Sequence, residues 1–127
     1  MANRYLRNIQ YSTEAATSGI FAQVTIGAAG APTLNFGGSF ISGIVRNSAG
    51  DYTITLRDTW ARLLQFDVTF LVSASAPAAP NFRVKTNNIT TGSLTVVFAN
   101  SAGTATDPAN GEVIFMAITV KNSSVVY

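Results

Sequence analysis

The sequence predicts an all-β fold, an antiparallel sandwich or barrel of about seven or eight strands with at most one short helix, near residues 58–64. Three observations support this. Apolar residues recur with a period of two in one segment after another, as in strands that bury a single face. Clusters of Gly, Pro, Asn, Asp and Ser interrupt those segments at the roughly 8–12-residue intervals typical of such folds. At 127 residues, the chain suits one core, large enough to need no covalent staples and too small for two domains.

Residues 1–18 stand apart from the pattern. Arg4 and Arg7 are interleaved with Tyr5, Leu6, Ile9 and Tyr11, with neither a helical stripe nor strand alternation. The stretch reads as an arm, and its aromatic and arginine content favours order gained against a neighbour over fraying in solvent. Residues 19–127 read as a single domain.

Within that domain, "GIFAQVTIG" sets Ile20, Ala22, Val24 and Ile26 against Phe21, Gln23 and Thr25. "AAGAPTLNFGG" packs Gly and Pro around Leu34 and Phe36, so it predicts a loop or a short irregular strand. "SFISGIVRN" resumes the strand pattern up to a turn-rich connector of hairpin length at 47–51. The clearest strand follows: Tyr52, Ile54 and Leu56 alternate with Thr53, Thr55 and Arg57. "DTWARLL" then breaks the alternation. Asp58 suits the cap of one helical turn, with Trp60, Leu63 and Leu64 spaced toward the core, so a short helix or a wide loop is expected there.

"QFDVTFLVSAS" predicts another strand, stopped by "APAAP", and "NFRVKT" points Phe82 and Val84 inward with Arg83 and Lys85 outward. After a turn at "NNITTG" come "SLTVVFAN", a polar loop "SAGTATDPANG", and "EVIFMAITVKN". The nearly unbroken apolar centre of the last predicts a strand buried on both faces or lying at a subunit contact. The C-terminal Val125, Val126 and Tyr127 suit either closure of an edge strand or a latch onto a partner.

Composition limits the function. Charged residues make up 11 % of the chain against 47 % hydrophobic, less than half the usual share of about 25 %. A surface so thinly charged suggests cover by other subunits, although a monomer with a Ser/Thr-rich exterior has the same composition. The net charge is +2, and the eight Lys and Arg are scattered, so the clustered positive charge that nucleic-acid binding requires is missing. There is no Cys or His, which removes disulfides, thiolate chemistry, zinc sites of the usual kind and imidazole catalysis. The N-terminus lacks the apolar stretch of a secretion signal, and no apolar run is long enough to span a membrane.

No catalytic or cofactor constellation emerges. Asp51 and Asp58 flank one strand and so stand roughly 23 Å apart at strand rise, too far to share a scissile bond. Asp58 and Asp67 read as cap and turn residues rather than a catalytic pair. Lys85 and Lys121 are expected to be solvated, which leaves them without the depressed basicity of a lysine nucleophile. "TDPANG" carries too few carboxylates for a calcium loop and reads as a turn, and "AGAPTLNFGG" lacks the lysine and helix of a phosphate loop. The glycosylation-type triplets "NIT" and "NSS" carry no weight without a secretion signal. Trp60 could stack a sugar or a base, but beside Leu63 and Leu64 it is expected in the core.

Two stretches carry a family likeness. Gly50-Asp51-Tyr52-Thr53-Ile54-Thr55-Leu56-Arg57-Asp58 matches a G-x-Y-T-[IV]-T-L-x-D segment, and a late apolar strand runs into Lys121-Asn122-Ser123. Over roughly residues 40–124 the chain resembles a group of small tailed-phage virion proteins, through motifs that are structural rather than catalytic. The resemblance implies a capsid decoration (cement) protein: a β-sandwich of jelly-roll type, usually trimeric, seated on the outer surface of the capsid. It would bind the major capsid protein and need no cofactor, metal, membrane or nucleic acid. The motif does not reach the termini. The candidate capsid or subunit interface is inferred instead from residue type: Arg4, Tyr5, Leu6, Arg7 and Tyr11 in the arm, and Val125, Val126 and Tyr127 at the other end. A receptor- or glycan-binding jelly roll at a phage fibre or spike is the alternative, and it should expose aromatics in a groove.

Overall fold

The computed structural model describes residues 17–72 and 77–122. The eight candidate interface residues, at 4–7, 11 and 125–127, lie outside the described residues.

Eight strands form two four-stranded antiparallel sheets: β1 (Thr17–Ile26), β2 (Pro32–Phe36), β3 (Ile41–Ser48), β4 (Asp51–Leu56), β5 (Arg62–Leu71), β6 (Asn81–Asn88), β7 (Ser93–Ala99) and β8 (Val113–Lys121). The first sheet has the order β2-β1-β8-β5 and the second β3-β4-β7-β6. The all-β expectation holds, including the short irregular strand around Leu34, whose pairing with β1 shifts register between Gln23 and Val24.

The two sheets pack face to face through the residues that the alternation assigned inward. Ile20, Ala22, Val24 and Ile26 of β1 and Ile114, Met116, Ile118 and Val120 of β8 share one buried cluster with Tyr52, Ile54 and Leu56 of β4 and Leu94, Val96 and Phe98 of β7. Each of the Val, Leu, Ile, Met and Phe side chains among them contributes about 1.5–3 kcal/mol by leaving water. Two ring pairs join the sheets, Phe66 of β5 with Phe82 of β6 at 5.1 Å between centroids and Phe70 of β5 with Phe98 of β7 at 6.0 Å, and within the second sheet Phe98 meets Tyr52 edge-on at 5.6 Å. At the edge of this core, buried Glu112 accepts the Ala78 N–H at Oε1 (3.0 Å), tying the approach to β6 to the start of β8.

The segment 58–64 corrects the expectation of a helical turn. Its backbone donors are spent across the chain: the Trp60 N–H donates to the Ile89 carbonyl (3.1 Å) and the Ala61 N–H to the Lys121 carbonyl (3.0 Å). Arg62 and Leu63 then pair with Lys121 and Val120 as the first rungs of β5. Asp58 is exposed and has no helix to cap. A register shift between Leu63 and Gln65 turns Leu64 out to solvent, while Leu63 and Trp60 pack against the core as expected. Lys121 is a second correction. It lies between Thr17 of β1 and Arg62 of β5 and is buried rather than solvated.

The sandwich has two distinct ends. Thr17 pairs with Lys121 at one of them, where the 57–61 crossover and the Ile89–Thr91 turn also lie. At the other, the Ile26 N–H donates to the Glu112 carbonyl (2.9 Å), the Gly111 N–H donates back to Ile26 (2.7 Å), and the long 100–111 loop closes over the core. The ten residues of β1 separate these ends by about 30 Å.

Candidate interaction surface

The outward faces of the two sheets differ in chemistry. Outside the second sheet, Thr53 and Thr55 of β4 and Thr95 of β7 stand between Val45 of β3 and Arg83 and Lys85 of β6, a polar surface of the kind solvent tolerates. Outside the first sheet the alternation presents Phe21 of β1, Phe36 of β2, Phe115 of β8 and Leu71 of β5, which are 61 %, 63 %, 38 % and 57 % exposed. The strand register brings them together. Gln23 pairs with both Phe36 and Phe115, and Phe115 pairs in turn with Thr69, two residues from Leu71. Two adjoining depressions share Phe21 and Phe36. One, of about 240 Å³, runs across the strands to Thr69 and Ala117, and the other, of about 480 Å³, reaches Asn35, Ser39 and Phe40. Asp67, exposed and accepting a hydrogen bond from Gln65 Nε2 (2.7 Å), is the one carboxylate at this surface among the described residues.

Such a face offers apolar area and ring surface for contact. Among the described residues no group of three or more Asp or Glu side chains is placed to hold a metal ion.

The most highly connected polar cluster lies at the loop end. Asp107, from "TDPANG", receives Arg46 Nε on both carboxylate oxygens (3.0 Å each) and the terminal Arg46 nitrogen on Oδ2 (2.8 Å). Its Oδ1 also accepts the Gly50 N–H (2.8 Å). The Tyr52 hydroxyl, inside the core, donates to the Gly30 carbonyl (2.8 Å) and lies 3.1 Å from Asp107 Oδ1. Burial pushes the Asp107 carboxyl upward, but the hydrogen bonds from Arg46, Gly50 and Tyr52 and the guanidinium charge outweigh it and hold the group below its ordinary value. Burial and the neighbouring carboxylate push the Tyr52 hydroxyl strongly up, so it stays a donor. Gly50, at φ 72°, is required here: a Cβ would overlap the Phe98 carbonyl oxygen and come within 2.6 Å of the Thr106 nitrogen. The cluster pins three chain segments and is structural.

Asp51 is held in a similar way, whereas buried Glu112 uses only Oε1 and leaves Oε2 without a hydrogen-bond partner among the described residues. Asp51 accepts Lys85 Nζ (2.7 Å) and Asn47 Nδ2 (3.0 Å), and these bonds, Lys85 first, hold its carboxyl below the ordinary value against the opposing effect of burial. Asp58 and Asp67 sit on the crossover and mid-strand, so the chain does not present them as a pair. Trp60 is half-buried against the core, leaving Phe21, Phe36, Phe40 and Phe115 as the exposed rings among the described residues. Composition did not identify the aromatic face. The period-two pattern of β1 marked Phe21 as outward, but nothing local says that Phe36 and Phe115 fall beside it.

No family model, curated protein or solved structure matches the chain. The class that fold and surface define is therefore an all-β two-sheet sandwich with one aromatic, charge-poor outer face.

Proposed function

We propose that the chain is a structural virion protein, a capsid decoration protein that seats on the outer capsid surface, binds the major capsid protein and stabilises the shell as a homotrimer. The observation that carries this reading is the pairing of Thr17 with Lys121. It sets Thr17 and Lys121, the strand residues that lead into residues 1–16 and 123–127, side by side at one end of the sandwich, and those two segments are the richest in anchor-type residues. The sparse charge of the chain and its likeness to tailed-phage virion proteins point the same way. Nothing in the reading requires catalysis: a ligand that binds only the assembled shell stabilises it by mass action. The jelly-roll assignment belongs to this proposal. The first strand lying beside the last supports it, whereas the β1-β2, β3-β4 and β6-β7 hairpins, each within one sheet, depart from a regular jelly roll.

The test is titration of the purified chain onto undecorated capsids while their melting temperature is followed. Saturable binding with a rise in melting temperature is expected. Removing residues 1–11 should abolish binding with the domain still folded. No binding and no thermal shift at micromolar concentrations would overturn the proposal.

One observation favours a second reading, glycan or receptor binding. Phe21, Phe36 and Phe40 line a depression that also contains Asn35 and Ser39, which is the combination of ring faces and hydrogen-bonding groups a sugar site uses. Glycan binding that is lost on Phe36→Ala, with capsid binding absent, would select it.

A further inference from the structure

We infer that the Thr17 end of the sandwich is a cationic docking end whose partner presents carboxylates, with Arg57 and Arg62 as its contacts. The inference rests on the proposed reading for where the chain docks and adds the chemistry of the surface it docks on.

The first reason is how folding sorts the charge. The cations are scattered in sequence, but among the described residues Arg57, Arg62 and Lys121 lie at the Thr17 end, with Asp58 as the one carboxylate there. At the loop end three cations, Arg46, Arg83 and Lys85, are balanced by three carboxylates, Asp51, Asp107 and Glu112. Asp67, midway along β5, belongs to neither end. One end of the molecule is therefore net positive and the other neutral.

The second reason is availability. At the loop end Arg46 and Lys85 are occupied by Asp107 and Asp51. At the Thr17 end Arg62 is exposed and has no carboxylate paired with it among the described residues. Arg57 is exposed too. Its Nε donates to the Gly38 carbonyl (2.5 Å) and its main-chain N–H to the Phe40 carbonyl (2.8 Å), which fixes the residue and leaves the terminal guanidinium nitrogens for a carboxylate.

The third reason is a like-charged rung. Arg62 stands directly opposite Lys121 on the neighbouring strand, so the two side chains leave the same face of the sheet. Like charges so placed repel, and a carboxylate arriving from outside relieves that repulsion whatever else Lys121 contacts. Stability alone favours a neutral or acidic residue at position 62. Two exposed arginines, with Asp58 on the chain between them, fall short of the phosphate contacts that a nucleic acid requires, so an acidic protein surface is the partner that fits.

The experiment compares Arg62→Glu with Arg83→Glu, reversals of equal charge at exposed strand positions on opposite ends. On undecorated capsids in about 50 mM salt, Arg62→Glu should weaken binding roughly tenfold or more and Arg83→Glu less than about twofold. The difference should shrink by about 500 mM, where the screening length is about 4 Å. Arg62→Thr should weaken binding in the same direction. The melting temperature of Arg62→Glu should equal or exceed that of the wild type, because the reversal removes the like-charged rung; a purely structural arginine would lower it. In parallel, without capsids, the wild type should be retained on immobilised poly-L-glutamate and Arg62→Glu released at lower salt than Arg83→Glu. Equal effects of the two reversals, or no retention on poly-L-glutamate, would overturn the inference. Stronger retention on immobilised duplex DNA with the same asymmetry would overturn it in favour of a phosphate partner. If the asymmetry on poly-L-glutamate holds while the wild type binds no capsid, the decoration reading fails and the carboxylate-binding end stands.

Discussion

Removing the Asp107 side chain tests how far the loop end depends on one carboxylate. In Asp107→Ala the Gly50 N–H, on a buried residue, loses its acceptor, and such an orphaned donor costs about 1–3 kcal/mol. The Tyr52 hydroxyl keeps the Gly30 carbonyl at 2.8 Å and loses little. Arg46 reaches solvent and can be rehydrated. The expected loss is therefore about 2–3 kcal/mol, set by the orphaned donor and the lost charge-assisted bonds. With a urea slope of about 2 kcal/mol per molar, the midpoint should fall by roughly 1–1.5 M, read from Trp60 fluorescence at fixed protein concentration. The dependence on pH gives a sharper check. The folded-state pKa of Asp107 lies below its ordinary 3.8, so its stabilisation is complete above that value and is lost as pH falls through the depressed one. The gap between wild type and variant should be full at pH 7 and close as the solution is acidified toward and below the folded pKa. A loss under about 1 kcal/mol at neutral pH, or a gap that stays constant into strong acid, would refute the assignment of Asp107 as an ionised acceptor.

Other expectations concern backbone and core. Gly50→Ala combines a left-handed φ with overlap onto the Phe98 and Thr106 backbone and should cost about 3 kcal/mol or prevent folding. Gly103→Ala, at a similar φ of 86° but in open space, should cost only about 1–2 kcal/mol; equal costs for the two would show that sterics at Gly50 are irrelevant. Phe98→Ala removes the ring that meets Tyr52, Phe70 and Phe82 and should cost about 3–5 kcal/mol by thermal or urea unfolding. Val45→Ala, on the outer face of the second sheet, should stay within about 0.5 kcal/mol.

Strand identity was legible wherever alternation was clean. Tyr52, Ile54 and Leu56 turned inward as their period requires, and so did the even-numbered residues of β1 from Ile20 to Ile26. The 58–64 segment was not legible, because its local cap signal competes with ladder partners near residues 89 and 121 that no window reveals. The irregular rung at Leu64 similarly depends on how β5 meets β8. The Arg46–Asp107 contact joins residues 61 apart, so spacing could not expose it. The usable hint was Tyr52 itself: a tyrosine on the inner side of a strand must find a partner for its hydroxyl. The aromatic face was half legible, since outwardness is local whereas adjacency across strands depends on register.

The distance between the two ends of the sandwich also has a practical use. If whatever holds this chain grips it at the Thr17 and Lys121 corner, the tip around Gly103, where a Cβ would meet nothing, points away by about the length of β1, roughly 30 Å. A peptide inserted at residues 101–103 should therefore be displayed outward, free of the anchored corner.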